Sequence, residues 1–368
     1  MRVAVIGGGA MGAATSWRLA KRGVDVVCYD RFSPPHALGS THGESRIIRT
    51  AYFEGPWYVP LIRDAFQLWG ELEADTGADL LTMTGALMIG EPDSEAVTGA
   101  LDSAKTHGLD VALLQADELR RRYRGHVVHD GQVAVLDRQA GVLRPEAAVA
   151  AMLSLTPAVV RDIPVASVDD LVDSFDAVVV AAGPWTSELI DWIPLQVERQ
   201  VHVWFELEGG VDWLTPERFP AFILQSREFG DVYGIPSLDG ASMKVGRHHE
   251  GEFTDPHRIR RVVDESDIDP LRRMAATYLR GLSKRVTRTL TCMYTNTPDR
   301  HFVIDFSPHD RRVVVISACS GHGFKLAPVI GDIAADLVCD GASTRDISRF
   351  SAARFAPSHV PHDHDDRD

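Results

Sequence analysis

The sequence has little cysteine: Cys28, Cys292, Cys319 and Cys339 are the only four in 368 residues, and none forms a C-x-x-C pair or another zinc spacing. That pattern argues against a disulfide framework and a thiolate metal site, and it suits a reducing, cytoplasmic compartment. No apolar run approaches the roughly 20 residues of a membrane span. Cations are scarce as well, with 38 Lys and Arg against 52 Asp and Glu for a formal net charge of −14. Nucleic acid and anionic membrane are therefore poor partners, and any cationic patch is local and meets a small anion. No internal repeat or low-complexity tract is visible. The last dozen residues, ending His362-Asp363-His364-Asp365-Asp366-Arg367-Asp368, read as a solvated, disordered tail (356–368) in preference to a metal site.

What is present begins at residue 1. Val3 to Ile6 form an apolar run that feeds into Gly7-Gly8-Gly9-Ala10-Met11-Gly12, a G-x-G-x-x-G pattern. This run reads as a first strand and not as a signal peptide, because no cleavage site follows. A helical segment (Ala13 to Arg22) and a second apolar strand (Val24 to Tyr29) close on Asp30. In such a unit Gly7 permits the tight turn, Gly9 lets backbone approach a pyrophosphate, and Gly12 allows close helix–strand packing. The helix start presents free N–H groups to phosphate, and Asp30 stands where an acceptor for ribose hydroxyls is expected. A dinucleotide site follows; which dinucleotide is open on this pattern alone.

At 45% apolar content the chain can bury a large core, in two closely associated domains. The long small-residue loop Phe32 to Arg46, with two histidines and Arg46 and Arg49 nearby, reads as functional. Tyr58 to Thr76 carries helical periodicity. Residues 80–90 look like strand, 93–107 and 115–123 like short helices, and 145–155 like another helix. Phe175 to Ala181 reads as a buried parallel strand ending in Gly-Pro. From about 195 to 290 alternating segments such as Val201 to Leu207 and Met243 to Gly246 read as antiparallel strands. Val313 to Ala318 is a strand again, followed by a helix from Val329 to Cys339.

Six segments, in order, resemble the monomeric sarcosine oxidase and N-methyltryptophan oxidase group of the D-amino-acid-oxidase superfamily. They are Gly7 to Gly12, Gly39 to Arg49, Tyr233 to Pro236, Met243 to Gly246, Thr291 to Thr295 and Ser320 to Lys325. The resemblance spans nearly the whole chain. It implies FAD as the dinucleotide and an α/β fold: a Rossmann-like FAD-binding domain of discontinuous segments (1–85, 140–190 and 290–355) with an inserted antiparallel-sheet substrate domain (86–139 and 191–289).

The resemblance also implies roles. Cys292 is expected to hold FAD covalently as an 8α-S-cysteinyl adduct, with Arg288 nearby to help the thiol ionise. Lys244 is expected over the flavin to assist dioxygen, since a fixed cation stabilises the negative charge that develops on O2. Arg49 and Lys325 are expected to bind a substrate carboxylate, and His248, Tyr233 and Tyr294 to line the amine and the flavin. His42, Ser45 and Arg46 match residues that contact the isoalloxazine ring. Gly321 and Gly323 belong to a backbone N–H cradle for its pyrimidine edge. Glu54 aligns with a pocket acid but equally suits an exposed helix start, so Tyr294 and His248 are preferred to it. Departures from the family pattern at Arg199, Arg227, Glu228, Arg247 and His249, in segments expected to line or flank the pocket, put sarcosine itself in doubt.

The implied activity is oxidation of the C–N bond of a secondary (N-methyl or cyclic) α-amino acid to an imine, with O2 reduced to H2O2 by a monomeric enzyme. A primary amine or a biosynthetic intermediate is the nearest alternative substrate. An NAD-dependent dehydrogenase would leave Cys292 and Lys244 without a use, and a flavoprotein that only senses redox state would need neither Lys244 nor Arg49.

Overall fold

Strand Arg2–Ile6 carries four consecutive buried residues, Val3 to Ile6, as a central strand must when both sheet faces are covered. A computed structural model describes residues 1–355; the expected tail at 356–368 lies outside them. Around this strand a six-stranded sheet is ordered Val303–Phe306, Val313–Ser317, Ala177–Val180, Arg2–Ile6, Asp25–Tyr29, Ala158–Val160. Neighbours are parallel except the edge strand Val303–Phe306, which runs antiparallel to Val313–Ser317. Helices Ala10–Lys21, Pro145–Ser154 and Ala327–Asp340 bury their apolar sides against one face. A second cluster including Val172, Phe175 and Ile193 covers the other face.

The first helix starts at Ala10, earlier than the expected Ala13, because Gly9 is already its extended N-cap (φ −73°, ψ −167°). Ala327–Asp340 crosses it so closely that a Cβ on Gly331 would lie 2.5 Å from the carbonyl carbon of Ala14. Asp332, the next residue, takes Arg18, Arg22 and Arg345 at 2.8, 3.0 and 2.9 Å. A buried carboxylate is tolerable there because charged donors surround it.

The second layer is an eight-stranded sheet ordered Leu282–Asn296, Gln196–Leu207, Ser242–His248, Gly230–Ile235, Ala221–Ser226, Ala86–Gly90, Val133–Asp137, Val111–Gln115. It is antiparallel except where Ala221–Ser226 meets Ala86–Gly90. Mixed parallel and antiparallel sheets in an α/β chain are the fold class that the sequence led us to expect. Strand Leu282–Asn296 runs straight across the expected boundary at 290 and so carries Cys292 and Tyr294 on the eight-stranded sheet. A third, small sheet joins Arg46–Ile48, Gly141–Leu143 and Leu81–Met83.

Three elements of this layer are not anticipated by the sequence reading. Strands Val111–Gln115 and Val133–Asp137 extend the sheet, and helix Glu265–Tyr278 packs beneath it through Ile268, Leu271 and Met274. That helix is opened by a reciprocal capping box between Asp264 and Asp267. Among the described residues no helix is long and apolar enough to cross a membrane.

The backbone contact between the two crossing helices gives a paired prediction. Gly331→Ala should cost about 1–3 kcal/mol through overpacking. Gly70→Ala, in helix Tyr58–Thr76 with nothing within 4 Å of the new Cβ, should stabilise by about 0.5–1 kcal/mol. Thermal melts of the two variants against the parent decide it; a Gly331→Ala protein as stable as the parent would remove the close crossing from the account.

Candidate active site

Between the two large sheets runs one continuous cleft, with about 1930 Å³ of empty space including its mouth. One end is built by the N-terminal turn. Gly7 has φ +104°, a left-handed-side conformation that glycine adopts without strain, and a Cβ there would meet Ala181 O at 2.4 Å. A Cβ on Gly12 would lie 1.7 Å from Gly7 O, so the helix begins in direct contact with the turn. At Gly9, by contrast, a Cβ would find only Thr41 Oγ1, at 3.6 Å. Gly9 thus faces the cleft with open space, as a phosphate-binding turn needs.

Asp30 is buried and acts first on the turn itself. Its Oδ2 accepts the Gly8 N–H at 2.6 Å and its Oδ1 the Phe32 N–H at 2.7 Å. A carboxylate offers about four acceptor directions, so capacity remains on the cleft side. The cleft's length, its open glycine turn and the helix N-terminus behind it fit an extended dinucleotide.

Further along, the loop from Gly39 to Arg46 folds over a buried cation cluster. Lys244 Nζ, on strand Ser242–His248, donates to Gly43 O at 2.8 Å and Ser45 O at 3.0 Å. Burial, together with Arg46, holds its pKa well below the usual lysine range; Cys292 and Glu146 act in the opposite sense. Arg46 donates to Ser45 O at 2.8 Å, Ser40 O at 3.2 Å and the Cys292 sulfur at 3.7 Å. Cys292 in turn contacts Ser40 O at 3.3 Å. The cation beside Cys292 is therefore Arg46. Arg288, expected in that role, is half exposed, pairs with Glu44 and lies over Trp204 at 4.2 Å.

His42 is buried in the same cluster, and its pKa is lowered to about 3 by burial and Arg46, so it is neutral. Ser45 and Arg46 line the cleft, whereas Cys292, Lys244 and His42 stand just behind its wall. His202, not singled out from the sequence, does line it. Its ring is buried, with Nδ1 unpartnered among the described residues.

At the inner end the carboxylate-binding candidates converge. Arg49 is 2% exposed and its guanidinium holds both oxygens of Glu54, at 2.6 and 2.5 Å, while Nη1 donates to Ala51 O. Burial would raise the Glu54 carboxyl, but Arg49, His322 and Lys325 outweigh it and bring it to about 2. Glu54 is thus an ionised pocket acid and not an exposed helix-start residue. Lys325 donates to His322 O at 2.5 Å, and burial with Arg49 lowers its pKa to about 7 despite Glu54.

Opposite them, His248 Nδ1 and Tyr294 OH are 3.2 Å apart. Burial keeps His248 neutral and the Tyr294 and Tyr233 phenols protonated. Gly321 (φ +77°) packs its backbone on this pair; a Cβ there would meet His248 Cε1 at 2.5 Å and Tyr294 Cε2 at 2.7 Å. Gly323 is equally tight, 1.8 Å from Ala318 O.

Three expected pocket residues do not reach the cleft. Arg199 is buried but pairs with Asp267 at 2.7 Å, anchoring helix Glu265–Tyr278 to the sheet. Arg227 is exposed and pairs with Glu91, and Glu228 is exposed. Their segments do line the cleft, through His202 and Ile223. Sequence reasoning also passed over Tyr52 and His322, whose OH and Nδ1 lie 2.7 Å apart beneath Lys325. At 270 residues apart, no spacing rule could have paired them.

Comparisons with known proteins identify the family. Residues 2–337 match the family model described as FAD dependent oxidoreductase. The chain is 36% identical to monomeric sarcosine oxidase of Streptomyces avermitilis, covering 96% of this chain and 97% of that one. It is 35% identical to N-methyl-L-tryptophan oxidase of Yersinia pestis, covering 95% and 98%. In fold it is similar to NikD, an unusual amino acid oxidase essential for nikkomycin biosynthesis, with a TM-score of 0.80 at 23% identity over 95% and 96% of the two chains. The dinucleotide for which the cleft is built is therefore FAD and not NAD, and the chain belongs to the family of FAD-dependent oxidoreductases.

Proposed function

We propose that the protein is an amine oxidase that converts the C–N bond of a secondary α-amino acid, N-methylated or cyclic, to an imine that water then hydrolyses. One observation carries the reading: two carboxylate-binding cations, Arg49 and Lys325, share a cleft with the neutral His248–Tyr294 pair, beside the buried Lys244–Arg46–Cys292 cluster. The names of the two sequence relatives, each an oxidase of an N-methyl amino acid, point the same way.

When bound, FAD supplies the acceptor for two electrons from the amino acid and passes them to dioxygen, which leaves as hydrogen peroxide. The chain's residues do the rest. Gly7, Gly9 and Gly12 seat the pyrophosphate, Asp30 accepts from ribose, and Gly321 and Gly323 cradle the ring's polar edge. On this reading Cys292, whose sulfur lies 3.7 Å from Arg46, takes a covalent link to the flavin.

Arg49 offers a planar fork to the substrate carboxylate once Glu54 shares or yields it, and Lys325 adds a point charge. His248 and Tyr294 hold the amine nitrogen. Both are uncharged, so they do not compete with the neutral amine that must react. Lys244 faces the oxygen step. Burial and Arg46 lower its pKa, and negative charge developing nearby would favour its cationic form, which stabilises that charge more than the neutral reactants. We place the enzyme in the cytoplasm as a monomer.

Three measurements test these assignments. Acid precipitation of the purified protein should give a yellow pellet, and Cys292→Ser a colourless one; a colourless parent pellet sinks the linkage. Lys244→Met should slow reoxidation by O2 about 100-fold or more while slowing flavin reduction far less. Equal slowing of both steps refutes its oxygen role. Acetate, a carboxylate without an amine, should bind best below pH 7 and lose affinity as pH rises through about 7, because Lys325 then sheds its proton. Lys325→Met should flatten that profile; an unchanged slope assigns it to another group.

A further inference from the structure

Beside the His248–Tyr294 pair lies a second buried cluster that the chemistry above does not use. Glu198 is 3% exposed and stands directly across from Tyr294 in the pairing of strands Gln196–Leu207 and Leu282–Asn296. Four donors converge on its carboxylate. Gly251 N and Gln200 Nε2 reach Oε1 at 2.8 Å each. Asn296 Nδ2 reaches Oε2 at 2.7 Å, and His249 Nδ1 lies 3.3 Å from the same oxygen. A buried carboxylate with this many partners is fixed in place.

His249 is the unusual partner. It follows strand Ser242–His248 with φ +58°, a conformation that histidine keeps only where its surroundings impose it. That turn brings its ring back against its own neighbour. The His249 and His248 ring centroids are 4.1 Å apart, and the Tyr294 ring is 5.4 Å from His249. His249 thus occupies the space behind both members of the pair, and Glu198 holds it there.

We propose that Glu198 and His249 form a carboxylate–imidazole buttress that positions His248 and Tyr294 toward the substrate amine. Neither residue lines the cleft, so both are positioning residues and act through the pair in front of them. The proposal rests on the reading of the cleft as an amine-oxidising site. It adds a structural cause for amine placement to the carboxylate anchoring by Arg49 and Lys325.

The test uses the FAD-loaded protein and the variants Glu198→Gln, His249→Asn and the double variant. Asparagine tolerates the left-handed backbone at 249, so this change removes the ring without adding strain. Anaerobic flavin reduction is followed by stopped flow with sarcosine, N-methyl-L-tryptophan or the cyclic amino acid L-proline, whichever the parent oxidises fastest. Binding of acetate is read separately, from the flavin absorbance change. Each single variant should lower the limiting reduction rate by about tenfold or more, as small misplacement of a reacting group does. The double variant should lose no more than about twofold beyond the worse single one, because the two residues act as one unit. Acetate affinity should stay within about twofold of the parent, since the carboxylate anchors are separate. Reduction rates within twofold of the parent, additive losses, or a parallel loss of acetate binding would each overturn the proposal. A parent whose flavin none of the three amino acids bleaches refutes the amine-oxidase reading itself, and that failure is visible before any variant is made.

Discussion

The structure depends on one buried tie, the ammonium of Lys244 held between the carbonyl oxygens of Gly43 and Ser45. Lysine belongs to the eight-stranded sheet and the carbonyls to the loop that follows the first nucleotide-binding unit, so this contact ties one layer to the other from inside the protein. A buried ammonium is costly unless its protons are taken up. Here two main-chain carbonyls do so, and that fixes the loop in the form that also presents Ser40 O to Cys292 and Arg46. Arg261 reinforces the closure from outside by donating to Ala37 O and Leu38 O. The cleft is what remains between surfaces joined in this way.

Local chemistry was readable from the sequence and long-range chemistry was not. The glycine turn, its helix and Asp30 lie within thirty residues, and their spacing alone declared a dinucleotide site. Arg49, Lys244, Cys292 and Lys325 are scattered along the chain, and only the family resemblance connected them. Where proximity in sequence stood in for proximity in space, it misled. Arg288 is four residues from Cys292 yet turns to Glu44, while Arg46, 246 residues away, reaches the sulfur. Helix Glu265–Tyr278 escaped notice because its surface is polar and Pro270 lies inside it; its Asp264–Asp267 box was the available signal. Arg199 looked like a pocket cation because its strand does line the cleft. Its side chain points the other way, to Asp267.

The electrostatics of the cleft run against the charge of the whole chain. A protein of net charge −14 gathers Arg46, Arg49, Lys244 and Lys325 around one cleft, with Glu54 paired to Arg49 inside it. Desolvation works on each of these groups differently. It weakens the two lysines as cations but cannot discharge arginine, so the arginines supply constant charge and the lysines an adjustable one. The histidines of the site, His42, His248 and His322, are driven neutral by the same burial and serve as hydrogen-bonding rings.

Strand Leu282–Asn296 has a consequence of its own. Cys292 and Tyr294 are two positions apart, so they leave the sheet on one face, across from Gln200 and Glu198. A slip of one residue against the neighbouring strand would turn both to the opposite face at once. The position proposed to tether the cofactor and the position proposed to meet the amine therefore share a single phase, and neither can drift during evolution or redesign without carrying the other along.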